Sequence, residues 1–187
     1  MRTLVFFTLL LMALPAYAKE IAGVMVNDTL QTEDGTTLQL NGAGIRSKLF
    51  MDIYIAQLYM EKPSASAAEV IGDKGKKRIV MHFLYKEVTK DKLIEAWNEG
   101  FKDNNSADDL TKLQERINQF NALFADVKKD DVIILDYAAA TGTVVTIKEQ
   151  KKGAIAGADF NDALLKIWLG EKPVNGGLKD NLLSYKK

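Results

Sequence analysis

The sequence predicts an α+β domain in which an antiparallel sheet carries helices packed on one face. Three observations predict it. Segments with strand-like alternation lie toward both ends of the chain, at 21–60, 77–85 and 132–156. Two stretches with helical i, i+3, i+4 apolar stripes occupy the middle, 89–124. The links between neighbouring strands are short and carry turn residues, which suits antiparallel pairing.

Taken in order, residues 1–18 read as a secretory signal. Arg2 supplies the positive end, Leu4 to Leu14 are apolar, and Ala16-Tyr17-Ala18 forms a small-x-small cleavage site. That run is well short of the ~20 apolar residues a spanning helix needs. Processing after Ala18 leaves a single domain, 19–187, expected to be soluble in the periplasm or outside the cell. There is no Cys in the chain, so no disulfide framework and no lipid-modified cysteine. The core alone must hold the fold. With 25 basic and 25 acidic residues and no Arg-rich run, the composition argues against a nucleic-acid partner. No second segment after the signal reaches membrane-spanning length, and the oligomeric state is left open.

Ile21 to Val26 is a short strand. A stretch containing Leu38 and Leu40 follows the turn signal Glu33-Asp34-Gly35 and is expected to complete a hairpin. Gly42-Ala43-Gly44 reads as a tight turn with positive φ. It lacks the third glycine and the following helix of a nucleotide-binding loop. A long apolar strand runs from Phe50 to Met60. Phe50, Asp52, Tyr54, Ala56 and Leu58 share one face, and Met51, Ile53, Ile55, Gln57 and Tyr59 the other. Both faces are mostly apolar, so both are expected to be covered. Pro63 ends the strand, and 64–71 form a helical turn closed by Gly72. Lys77 to Tyr85 is the next strand.

Thr89 caps a helix whose apolar positions are Leu93, Ala96, Trp97, Gly100 and Phe101. Asn104 and Asn105 break it. Ser106 and Asp109 form a variant capping box before a helix striped by Leu110, Leu113, Ile117, Phe120 and Phe124. Strands return at Val132 to Ala138 and Thr143 to Lys148, joined at Ala140-Thr141-Gly142. Lys151-Lys152-Gly153 turns the chain into a short strand near Ala154 to Ala156. Asp159 opens the last long helix, with Phe160, Ala163, Leu164, Ile167 and Trp168 on one face. Pro173 and Gly176-Gly177 precede a final short helix, 178–184. The total is about seven strands and four or five helices.

Few residues carry chemistry. His82 is the only histidine, mid-strand and without cysteine partners, so it reads as a sheet-face residue rather than a metal ligand. Lys128-Lys129-Asp130-Asp131 is a charged turn without EF-hand spacing. No Gly-x-Ser-x-Gly element is present, which argues against hydrolase chemistry. No cofactor or metal is called for. Arg46 stands out, between a glycine-rich segment and a two-sided apolar strand. An arginine there either lies at the surface, paired with a carboxylate such as Asp52, or places a fixed charge beside a buried wall. With Tyr54 nearby, the second arrangement would receive a carboxylate.

The stretch 39–61, with Gly42-x-Gly44-x-Arg46 and a strand ending Leu58-Tyr59, resembles the bacterial exported branch of the chalcone isomerase-like family. So do Phe160 to Gly170 (FNDALLKIWLG) and Leu178 to Leu183 (LKDNLL). The resemblance spans about 20–185 and implies an open-faced β-sandwich with a ligand cleft between sheet and helices. In that family the arginine points into the cleft and anchors a phenolic or carboxylate oxygen. In its fatty-acid-binding members an aromatic hydroxyl on the following strand completes the clamp. Alignment on Leu58-Tyr59 places Tyr54 there, with Tyr59 and Tyr85 as alternatives. True chalcone isomerases place a tyrosine just before the first long helix and an asparagine inside it. Here Thr89 and Ala96 match those positions, with Asn98 two residues on. Thr89 stays among the candidate ligand-binding residues, but the cyclising set is not reproduced.

The expected function is therefore a periplasmic, non-catalytic binder of a fatty acid or similar small amphiphilic acid. The alternatives are an intramolecular lyase of chalcone isomerase type and an envelope interaction module without a small ligand.

Overall fold

The computed structural model describes residues 18–186. All but the last residue of the expected signal segment lies outside them. The chain opens with a hairpin of β1 (Ala18–Ile21) and β2 (Val24–Asn27). The single strand expected at Ile21 to Val26 is thus split by a turn, where Ala22 and Gly23 take positive φ. β3 (Thr29–Gln31) pairs with β4 (Thr37–Lys48) across the Glu33-Asp34-Gly35 turn. β5 (Met51–Met60), α1 (Ala67–Gly72), β6 (Lys77–Phe83) and β7 (Glu87–Val88) follow. Next come α2 (Lys90–Asn104), α3 (Ala107–Ala122) and β8 (Val127–Lys128). β9 (Val132–Ala138), β10 (Gly142–Ile147), β11 (Gln150–Ile155), α4 (Ala158–Leu169) and α5 (Gly176–Leu182) complete the chain.

One seven-stranded antiparallel sheet, ordered β11-β10-β9-β6-β5-β4-β3, curls around the helices. The fold is α+β, as the sequence predicts. Among the described residues it has more strands than expected, because β1 and β2 are separate, β3 is added as the partner of β4, and β7 and β8 form a two-residue ladder too short to show periodicity. The expected turn at Lys151-Lys152-Gly153 lies inside β11. The chain turns earlier instead, at Lys148 and Glu149, both at positive φ.

The glycine segment is the main correction. Gly42, Ala43 and Gly44 lie within β4 and none has positive φ. Their requirement is space. A Cβ on Gly42 would meet the Asn181 carbonyl oxygen and lie 2.7 Å from the Leu182 carbonyl carbon. One on Gly44 would lie 2.7 Å from the Asn181 Cβ. α5 therefore packs directly on the bare backbone of β4. A bulge at Asn41 locks this contact: its amide donates to the Leu182 carbonyl at 2.7 Å and to the Ser64 carbonyl at 3.0 Å.

The predicted caps Thr89 and Ser106 form, Ser66 adds a third, and α4 opens at Ala158 behind Gly157 with no side-chain cap rather than at Asp159. Ser66, Thr89 and Ser106 accept from backbone N–H groups three residues on. α4 lies between the sheet and α2 and buries eight side chains, including Phe160 and Trp168. Trp97 meets Trp168 edge to face at 5.7 Å, and Phe101, Phe120, Phe124 and Phe160 continue this aromatic layer. Ile53 to Met60 are all buried, so both faces of β5 are covered, as its apolar pattern requires. Among the described residues no helix is long and apolar enough to cross a membrane.

Candidate functional site

Between β4, β5 and β6 on one side and α2 and α4 on the other lies a cavity of about 290 Å³. Its walls are apolar: Ile53, Met81 and Phe83 from the sheet, Leu93, Ala96 and Trp97 from α2, Ile167 from α4, and Val174 beyond it. Arg46 and Tyr54 supply polar atoms inside. Lys48, Leu49, Met51, Tyr85, Glu87 and Lys92 also line it.

Local geometry explains why β5 faces the cavity with two consecutive residues. The β4–β5 register pairs Arg46 with Tyr54 and then Ser47 with Asp52, leaving Ile53 as an extra residue. The Ile53 carbonyl accepts from both Leu84 and Tyr85 N–H groups instead. This bulge breaks strict alternation, so Ile53 and Tyr54 both reach the cavity. The alternation read from sequence separates them. Phe50, taken there as the first strand residue, lies in the turn and is fully exposed.

Arg46 and Tyr54 are direct cross-strand neighbours on one face. The guanidinium carbon stands 5.6 Å from the Tyr54 ring centroid, a cation–π arrangement. The Nε of Arg46 is buried with no hydrogen-bond partner among the described residues. Among the described residues, ion pairs engage Arg78 and Arg116 but not Arg46. Asp52, the carboxylate that would make Arg46 an ordinary surface pair, is held by the Ser47 hydroxyl at 2.6 Å. A buried guanidinium nitrogen without an acceptor is costly, so Arg46 keeps unused capacity to donate to an acceptor in the cavity.

The Tyr54 hydroxyl accepts from Trp168 Nε1 at 3.0 Å. Burial pushes the phenol above its ordinary range, and Arg46 and Trp168 only partly offset this. It therefore stays neutral, with its proton free to be donated. The site can thus offer a half-buried guanidinium with an unsatisfied Nε and one phenolic O–H, beside apolar walls whose rim also carries Glu87, Glu95 and Glu99.

The other sequence candidates fall in different places. Tyr85 lines the cavity and is partly exposed. Tyr59 is on the opposite sheet face, its hydroxyl 3.0 Å from the Asn27 carbonyl that accepts its proton and 2.8 Å from the Gln57 amide. Thr89 is outside the cavity lining and serves as the N-cap of α2. Ala96 faces the cavity, while Asn98 accepts from the half-buried Asn121 amide at 2.8 Å. His82 lies partly buried on β6, 3.4 Å from Asp130. Among the described residues no group of His, Cys, Asp or Glu could hold a metal ion. Trp97, Trp168 and Ile53 are site residues that sequence reasoning missed. The two tryptophans were visible only as helix-stripe residues, and Ile53 carried no signal.

A search of curated proteins finds no match. Among solved structures, a fatty-acid-binding protein of Arabidopsis thaliana is similar in fold at a TM-score of 0.60 and 16% identity. The alignment covers 83% of this chain and 95% of that one. At the sequence level, the model of the family described as chalcone isomerase-like matches residues 18–184, nearly every residue from β1 to the end of α5. The curled sheet and its helical cover fit that fold, and this chain belongs to the chalcone isomerase-like family.

Proposed function

We propose that this protein is an exported, non-catalytic binder of a fatty acid or similar small amphiphilic acid. The observation that carries the reading is the buried, unpartnered Arg46 Nε at an apolar cavity. A carboxylate there satisfies the guanidinium and accepts the Tyr54 proton, while the aliphatic and aromatic walls take the tail. Such a site is mostly apolar with a few placed polar groups, the usual character of a small-molecule pocket. The fold similarity to a fatty-acid-binding protein supports the same reading. Export rests on the segment 1–18, with 19–187 as the working domain.

The test is displacement of a fluorescent fatty acid from folded wild type and variants. Charge-assisted hydrogen bonds contribute about 1.5–3 kcal/mol each, so Arg46→Ala should weaken binding by roughly tenfold or more. Arg46→Lys should restore only part, because an ammonium lacks the planar fork. Unchanged affinity in Arg46→Ala would refute the head-group assignment. Chalcone turnover above the spontaneous rate, lost in the same variant, would replace the binding reading with an isomerase.

A further inference from the structure

The β4–β5 connection is a two-residue turn, Leu49-Phe50, between the paired residues Lys48 and Met51. Leu49 takes φ of +58°. Turns this tight ordinarily place Gly, Asn or Asp at positive φ, because a bulky side chain there is strained. Here the two positions hold leucine and phenylalanine, and the fold gains nothing from either. Leu49 is 83% exposed and Phe50 is wholly exposed. A local rule broken without compensation inside the molecule points to a gain outside it.

The location is specific. Leu49, Phe50, Met51 and Tyr85 are four of the five exposed large apolar side chains among the described residues. Leu49, Met51 and Tyr85 also line the cavity. Exposed apolar side chains therefore link the chamber to the tip, with Lys48, Glu87 and Lys92 beside them. We propose that the Leu49-Phe50 turn inserts into a lipid bilayer surface and holds the cavity mouth against it, so that an amphiphile passes between bilayer and cavity. This rests on the amphiphile-binding reading for its purpose, though not for the contact itself.

A bilayer fits the tip better than a protein partner. A two-residue tip offers far less than the ~800 Å² per partner of a specific protein interface. It matches an interfacial anchor, whose aromatic and aliphatic side chains enter the headgroup boundary. The flanking charges balance, with Lys48 and Lys86 against Asp52 and Glu87. Binding should therefore be driven by apolar insertion and change little with salt.

The experiment is co-sedimentation with phosphatidylcholine vesicles free of fatty acid, at low and high salt. Wild type, Leu49→Ser/Phe50→Ser, Phe50→Ser and Leu49→Gly are compared with one N-terminus throughout, so that residues 1–18 cannot account for a difference. Partition of wild type is expected to fall tenfold or more in the double variant, and to fall in Phe50→Ser alone, a position outside the cavity lining where fatty-acid displacement in solution stays unchanged. Leu49→Gly should unfold at a higher temperature than wild type, because glycine tolerates that φ, yet bind vesicles more weakly. Wild type that ignores vesicles, or partitions equally with the double variant, would overturn the proposal whatever the displacement assay shows. Failed displacement with intact, tip-dependent vesicle binding would overturn the cavity reading alone.

Discussion

The Tyr54 hydroxyl on β5 accepts the indole N–H of Trp168 on α4 at 3.0 Å, and both residues are buried. This bond ties the wall of the cavity to the most buried helix of the fold. It also fixes the phenol oxygen, so that its proton is the group left for a ligand.

Tyr54→Phe should therefore act twice. The ring remains, but the Trp168 N–H loses its acceptor inside the core, which costs about 1–3 kcal/mol of stability. Ligand affinity should fall less than in Arg46→Ala, since one neutral hydrogen bond is lost rather than a charged anchor. Urea unfolding and fluorescent-ligand displacement on the same preparation separate the two effects. Full stability in Tyr54→Phe would show that the buried bond contributes nothing measurable.

Much of this arrangement was legible in the sequence, and the failures share a cause. The helix stripes, their caps and the long strand are local signals, and they appear where periodicity puts them. Arg46 was legible as a charge beside a buried wall. Gly42 and Gly44 were misread because a glycine can answer a backbone angle or a close neighbour. Here the neighbour is Asn181, far along the chain. Ile53 was misplaced because a bulge shifts the face of a side chain without changing composition. Tyr59 shows the reverse case: its alternation already set it opposite Tyr54, and the structure keeps it there, bonded to the β1–β2 hairpin.

The close approach of α5 to β4 predicts a steep penalty at Gly42. In Gly42→Ala the added methyl would overlap backbone atoms of Asn181 and Leu182, which cannot rotate away as a side chain can. The helix must shift, at a cost of about 1–3 kcal/mol. Asn41 would also loosen its bond to the Leu182 carbonyl. Thermal unfolding should show the loss, with hydrogen exchange rising first in 176–182. A variant as stable as wild type would mean that α5 adjusts freely.

Lys77 gives a pH-dependent prediction. Its side chain is buried and its Nζ donates to the carbonyls of Val70, Ile71 and Asp73 at the end of α1. Burial pushes the amine down to about 8. From there up to the ordinary lysine value of ~10.4, the unfolded chain binds a proton that the folded chain does not. Stability contributed by this group therefore rises with pH across that window and is lost as pH falls through about 8. Lys77→Met should remove this slope and leave the α1 carbonyls without their donor. The check is the wild-type minus variant difference in unfolding free energy at stepped pH. A difference that does not change between pH 8 and 10 would contradict it.

Cavity size predicts how affinity depends on tail length. Each buried methylene contributes about 0.8 kcal/mol, close to fourfold in Kd, since about 1.4 kcal/mol is tenfold. If a chain atom takes up about the ~30 Å³ of a liquid water molecule, the cavity of about 290 Å³ holds about ten. Affinity for saturated acids should therefore climb about fourfold per methylene and flatten beyond about ten chain atoms, as further ones emerge past Met51 and Tyr85. Ala96 faces this space from α2, so Ala96→Leu should move the break toward shorter acids while leaving Arg46 in place. Displacement titrations across a length series, on wild type and Ala96→Leu, measure both breaks. An affinity that ignores chain length, or a break that Ala96→Leu leaves unmoved, would mean that the tail lies outside this cavity.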